Sequence, residues 1–172
     1  MAVNAGAVVI ATTRRRERFD LLKRFGAKDV KIESPDLIDE FTASKSNNNE
    51  DFKFDKTLNL IGNSVLLQSI SLTRPGGRML QAGWLGGLDP VKDFNPMLQM
   101  ESGVHFSLFH SKVLGGHGFP MAKVGLQEVV KKIENGEFEA KPSHVFGFGE
   151  IRKAHELLDS HDAGGKIVVV HE

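Results

Sequence analysis

The sequence predicts an α/β fold built on parallel strands, and three observations carry that prediction. Short β-branched runs recur along the chain, apolar stripes of helical period lie between them, and the two kinds of segment alternate in a regular order. A parallel pair of strands cannot be closed by a tight turn, so strand, helix and strand in succession mean right-handed crossovers.

The first strand is expected at Val8-Val9-Ile10-Ala11-Thr12. Phe19, Leu22 and Phe25 then share one helix face, closed by Gly26, where a helix end can take positive φ. Asp29-Val30-Lys31-Ile32 is the second strand, and Ser34-Pro35 places a capping residue before a proline at the first position of a short helix. Ala43 to Asp51 is polar, with three consecutive asparagines, and reads as a loop without chemistry. Thr57-Leu58-Asn59-Leu60-Ile61 is the third strand; Val65, Leu66 and Ile70 form the next helical stripe, which Pro75-Gly76-Gly77 is expected to stop. Arg78-Met79-Leu80-Gln81-Ala82 follows as a strand, Asn95-Pro96 as a second capped short helix, and Val104 to Phe109 as another strand. Leu126, Val129, Val130 and Ile133 keep helical spacing up to Asn135-Gly136. Ile151, Ala154 and Leu158 make the last helical face, and Ile167 to Val170 the last strand. No internal repeat is visible.

A length of 172 residues fits one domain of ordinary size and could just hold two very small ones. With 40% hydrophobic and 26% charged residues, and 22 basic against 22 acidic side chains, the composition is that of a soluble globular protein with no nucleic-acid partner implied. Cysteine is absent, which excludes a disulfide framework, a thiolate zinc site and a cysteine nucleophile. No apolar run approaches the roughly 20 residues that span a bilayer, and the start Met1-Ala2-Val3-Asn4 has no basic leader region, so a cytoplasmic protein is expected.

The densest charge feature, Thr12-Thr13-Arg14-Arg15-Arg16-Glu17-Arg18, falls where the first strand hands over to the first helix. Cations there oppose the helix dipole, and an anion would relieve them. Ligands of open parallel sheets sit at the carboxyl ends of strands, and arginine matches a phosphate bidentately. The competing reading is a solvated basic turn. Two further strand ends carry glycine, Leu60-Ile61-Gly62-Asn63 and Gln81-Ala82-Gly83-Trp84-Leu85-Gly86-Gly87. Glycine there admits close backbone approach to a ligand, or serves plain turn chemistry. The histidines lack metal-site spacing: His105 and His110 are an odd number apart, His117 lies in a glycine-rich loop, and His155 flanks the last helical face as a packing residue. No nucleophile elbow and no acid pair with a common face support a hydrolase.

Ala5-Gly6-Ala7-Val8-Val9-Ile10-Ala11-Thr12-Thr13-Arg14, then Leu21-Leu22-Lys23-Arg24-Phe25-Gly26-Ala27, resembles the second strand and following helix of the medium-chain dehydrogenase/reductase superfamily, in its NADPH-dependent quinone-oxidoreductase-like branch. Phe54-Asp55-Lys56-Thr57-Leu58-Asn59-Leu60-Ile61-Gly62 is similar to the family's fourth strand, and Leu72-Thr73-Arg74-Pro75-Gly76-Gly77-Arg78-Met79 to the approach to its fifth. Val145 to His155 and Gly164 to Val170 resemble its closing helix and last strand.

The resemblance implies a Rossmann-type, mostly parallel sheet in an alcohol-dehydrogenase-like enzyme that uses NADPH to reduce a quinone, an activated alkene or a related carbonyl compound. Thr13, Arg14, Arg15 and Arg16 would hold the adenosine 2′-phosphate, and no acidic residue ends that strand to favour NAD. Gly62, Gly83 and Trp84 would line the cofactor groove, with Phe106 and Leu108 near the nicotinamide. No catalytic residue and no metal ligand is assigned.

Family members precede this region with a first strand, a glycine-rich pyrophosphate turn and a substrate domain. Without them the resemblance implies a single partial domain over 1–172, in which 142–172 match the segment returning to the catalytic domain, and a truncated chain that does not catalyse alone. The central strand of the order 3-2-1-4-5-6 would then be missing, leaving the two sheet halves to pair directly, to borrow a strand such as Ile167 to Val170, or to associate with another chain. A homodimer is expected through the edge strand Val104 to Phe109. Two alternatives stand beside this reading. Arg74-Pro75-Gly76-Gly77-Arg78 also resembles the turn before a strand in S-adenosylmethionine-dependent methyltransferases, and a noncatalytic, dimerising nucleotide-binding remnant would share the same binding residues.

Overall fold

The computed structural model describes residues 1–43 and 52–171. All but the first residue of the asparagine-rich stretch lie outside the described residues. The chain divides into two compact units, Met1–Phe119 and Pro120–Glu172.

Among the described residues the first unit contains five strands and four α-helices: β1 (Ile10–Thr13), α1 (Phe19–Arg24), β2 (Asp29–Ile32), α2 (Leu37–Ala43), β3 (Phe54–Asn59), α3 (Leu66–Ser71), β4 (Thr73–Gln81), α4 (Pro96–Gln99) and β5 (His105–Leu108). Every pairing is parallel, as the alternation requires. The strands form two sheets, β1-β2 and β3-β4-β5. The two repairs of the sheet expected within the chain do not occur among the described residues. β1 and β3 do not pair with each other, and Ile167–Val170 pairs in the second unit. The halves nonetheless share a core. Ile10 and Phe54, the first residues of β1 and β3, both pack on the cluster Leu37, Phe41 and Leu72, and Phe41 meets Phe54 edge to face at 5.2 Å.

A second cluster, Leu66, Ile70 and Met79, joins α3 to the centre of β4 and is flanked by Val91, Phe94, Met100 and Val104. Ile70 and Met79 are fully buried, each contributing about 1.5–3 kcal/mol. Period-2 alternation explains the choice: Met79 and Gln81 face α3 while Arg78 is exposed.

Local chemistry accounts for the boundaries. Gly26 ends α1 at φ +92, and Asn95 caps α4, its Oδ1 accepting from Met97 N at 3.1 Å. Ser34 does not cap: its carbonyl accepts from Leu37 N and Gln68 Nε2 while its Oγ is buried without a partner. Nor does Pro75-Gly76-Gly77 stop α3, which ends at Ser71. β4 runs through this tripeptide, and a register shift opposite Phe54 to Lys56 absorbs the missing proline N–H.

The second unit holds α5 (Leu126–Glu134), β6 (His144–Gly147), α6 (Ile151–Asp159) and β7 (Ile167–Val170), with β6 and β7 paired in parallel. α5 ends at Asn135-Gly136, Gly136 taking φ +74. β6 has no counterpart in the sequence reading. On α6 only Ala154 is buried, while Ile151 and Leu158 stay exposed, and His155 is exposed rather than packed.

Candidate functional site

Two groups of residues gather at carboxyl ends of strands in the first unit. The first lies after β1. Thr13 closes the strand and turns the chain, its Oγ1 accepting from Arg15 N at 3.2 Å. Arg16–Arg18 then make a short 3-10 turn into α1. The result is an open depression lined by Arg14, Arg15, Arg16, Glu17 and Ile32, the last from the end of β2. The arginines named from sequence are thus brought together around one recess, with a single acid among them. Such a surface suits a phosphate dianion: it offers several guanidinium donors at the end of a parallel strand.

The second group lies after β3, β4 and β5. Asn59, buried at the end of β3, organises its turn: Oδ1 accepts from Ile61 N at 2.9 Å and Gly62 N at 2.8 Å, and Nδ2 donates to Gly62 O at 2.9 Å. Gly62 has φ +116, and a Cβ there would stand 2.9 Å from Trp84 Cα. A Cβ on Gly83 would stand 1.7 Å from Leu60 O. These glycines therefore let two strand ends lie against each other, and that approach is between chain segments. The turn is tied further by Gly86 N donating to Ile61 O at 2.7 Å. Asn63 donates through Nδ2 to Asp89 O at 2.9 Å and accepts from Gln81 Nε2 at 3.0 Å, which leaves the buried Gln81 Oε1 without a partner.

Trp84, so positioned, is half exposed and meets the His110 ring with centroids 4.9 Å apart and planes tilted by 32°. Phe106 and Leu108 lie on the outer strand β5, opposite Met79 and Gln81 in register, and are 41% and 67% exposed. The structure therefore unites Gly62, Gly83 and Trp84, sets Phe106 and Leu108 on the neighbouring edge, and adds Asn59 and His110, which sequence reasoning passed over. A polar Asn59 amid Leu58, Leu60 and Ile61 was the available signal; His110 had none, since its neighbour Trp84 is remote in sequence.

Comparison with protein families decides the relationship, for residues 37–169 match the family model described as zinc-binding dehydrogenase. The chain belongs to this family. Among solved structures, AibC is matched with a TM-score of 0.79 at 20% identity, over 99% of this chain and 44% of that one. A mycobacterial protein complexed with NADPH gives 0.77 at 18%, over 98% and 50%, and an NAD-dependent alcohol dehydrogenase 0.71 at 22%, over 98% and 45%. The chain spans about half the length of the structures it matches. No curated protein sequence matches it. These findings establish the medium-chain dehydrogenase/reductase relationship and the Rossmann-type α/β fold expected from sequence, and nothing in them supports the methyltransferase reading. Among the described residues no group of three His, Asp or Glu could hold a metal ion, and the sequence has no cysteine. No helix among the described residues is long and apolar enough to cross a membrane.

Proposed function

We propose that this chain is the cofactor-binding part of an NADPH-dependent cytoplasmic oxidoreductase acting on quinones, enones or related carbonyl compounds. One observation carries the choice of NADPH: Arg14, Arg15 and Arg16 line a single recess at the end of β1, with Thr13 bracing its turn. A 2′-phosphate is the feature that separates NADPH from NADH, and clustered guanidinium groups are the donors that fit it. Gly62, Gly83 and Trp84, with Phe106 and Leu108 beside them, form the complementary end of the groove. When bound, the cofactor supplies a hydride; the chain's own residues hold and orient it.

Titration of the 172-residue chain with NADPH, NADH and 2′,5′-ADP tests the reading. Binding should favour the two phosphorylated ligands, weaken as salt rises, and lose about 1.5–3 kcal/mol in Arg14→Ala, the range for a hydrogen bond to a charged group. Equal affinity for NADPH and NADH refutes it. Because the chain spans about half the length of its structural matches, the chain alone is expected to bind without turning over quinones. Protein-dependent NADPH oxidation near 1 per second, roughly the lower end of ordinary turnover, contradicts that. The same reading includes a homodimer through Val104 to Phe109: among the described residues β5 is an exposed edge paired only with β4, and it bears neither proline nor lysine.

A further inference from the structure

The end of α5 carries the one Asn-Gly pair in the sequence, Asn135-Gly136. Gly136 N donates to Ile133 O at 3.0 Å and Glu137 N to Lys132 O at 2.8 Å, while Gly136 takes φ +74, so the helix closes on a two-bond left-handed cap. The Asn135 side chain takes no part in it. Asn135 is exposed, and among the described residues its carboxamide has no hydrogen-bond partner. A Cβ on Gly136 would meet nothing within 4 Å, so no neighbour crowds the peptide nitrogen beside that carboxamide. Other asparagines of the chain are placed differently. Asn59 and Asn63 are held through their carboxamides and precede Leu60 and Ser64, and the nitrogen after Asn95 belongs to Pro96 and carries no hydrogen.

We propose that Asn135 is a self-modification site: when the cap opens, Gly136 N attacks Asn135 Cγ and the asparagine becomes aspartate or isoaspartate. The bond from Gly136 N to Asn135 Cγ forms as the Cγ–Nδ2 bond breaks. The Gly136 amide proton leaves with the side-chain nitrogen as ammonia, and a five-membered cyclic imide remains. Water then adds to one of the two imide carbonyls, which opens the ring to a side-chain carboxylate or to a backbone routed through the β-carbon. No electrons are exchanged, and water is the sole co-reactant. The cap sets the rate, because a nitrogen donating to Ile133 O is not free to approach Cγ, so the reaction draws on molecules in which the end of α5 has opened. The product then acts on the helix. A carboxylate at a helix C-terminus opposes the dipole, and isoaspartate adds one backbone carbon inside the cap, so its two bonds no longer re-form together. The site thus reacts once, as a record of how often α5 frays, and it is independent of the cofactor that the first unit holds.

The full chain is incubated in mildly alkaline buffer, folded and in urea, and the tryptic peptide 133–152, which holds no other asparagine and no glutamine, is followed by mass spectrometry. It should gain the mass of one amide-to-acid exchange and split into two chromatographic species, aspartyl and isoaspartyl. In water labelled with heavy oxygen it should also take up one labelled atom, which marks hydrolysis of the imide. The folded chain should react about five- to hundredfold more slowly than the unfolded one, the worth of the two cap hydrogen bonds. Asn135→Ser, which lacks the carboxamide, should gain nothing. A mass gain that persists in Asn135→Ser overturns the proposal, as does the absence of any gain in urea. A folded rate more than about a hundredfold below the unfolded one would mean that the site stays shut, and equal rates in the two states would mean that the cap does not control it; either result overturns the proposal as well. The comparison of folded with unfolded wild type needs no variant to fold.

Discussion

Replacing Gly83 by alanine tests the claim that two strand ends are pressed together at the candidate site. The added Cβ would stand 1.7 Å from Leu60 O, 2.2 Å from Leu60 C and 2.8 Å from Leu60 Cα. All three are backbone atoms, so no flexible side chain can swing aside. Relief requires the chain after β4 to move off the chain after β3 by more than an ångström, which strains the bond from Gly86 N to Ile61 O and drags Trp84 from His110. Overpacking of a rigid contact costs about 1–3 kcal/mol and sometimes more; a backbone clash this deep belongs at the top of that range, near 3 kcal/mol. With a denaturant slope of about 2 kcal/mol per molar, the urea midpoint should fall by about 1.5 M. Urea titration followed by Trp84 fluorescence reads both the stability and the indole environment. Gly118→Ala is the control, since a Cβ there meets nothing within 4 Å and φ is not positive; its midpoint should stay within about 0.5 kcal/mol of wild type. A Gly83→Ala protein as stable as the control, with unchanged fluorescence, would show that the strand ends are not in contact.

Asn59→Ala removes the acceptor for the buried Gly62 amide and the half-buried Ile61 amide and should cost about 1–3 kcal/mol in the same titration; a loss below about 0.5 kcal/mol would mean that Asn59 does not hold the Gly62 turn. Acid should destabilise the protein in a defined window. Asp29 is lowered by the Val30 amide and then by Lys31, Asp55 by the hydrogen bond and charge of Arg74, and Glu150 by Lys153 and the Gly147 amide. A depressed folded-state value gives stability that is complete above the unfolded-state value and is lost as pH falls through the folded one. Thermal midpoints should thus hold from neutral to about pH 5 and fall below roughly pH 4, modestly because these groups are exposed; a fall already between pH 7 and 6 would need another cause. Light scattering at micromolar concentration should find a dimer or larger for wild type and a monomer for Phe106→Lys, whereas a wild-type monomer would remove the argument from the β5 edge.

Sequence patterning was most legible where one run both starts and stops on its own chemistry. Asp29–Ile32 and Ile167–Val170 form where β-branched residues predict them, and the Asn95 cap and Gly26 end behave as their types require. β6 escaped because His144-Val145-Phe146-Gly147 holds a single β-branched residue and leads directly into a helix. The start of β4 escaped because Pro75-Gly76-Gly77 breaks structure locally, while Thr73, fully buried, pairs with Phe54 across the register shift. That the strands form separate sheets is a long-range pairing outcome, which no local window contains. The same division runs through the site. Clustering of Arg14 to Arg16 is consecutive and so was readable, whereas the need for glycine at 83 and the setting of His110 both depend on segments distant in the chain.

β4 is the only strand among the described residues that has a neighbour on each side. Its Met79, Leu80 and Gln81 lie opposite Thr57, Leu58 and Asn59 on one flank and Phe106, Ser107 and Leu108 on the other. An amide held between two flanks exchanges its hydrogen with solvent only when the unit opens widely, while amides on single-flanked strands exchange through local fraying. Deuterium uptake should therefore slow sharply at Met79 to Gln81 and stay fast along β1 and β5. The slowest amides would then lie just before Gly83 and Trp84, so the glycine turn of the candidate site hangs from the last part of the chain to let go.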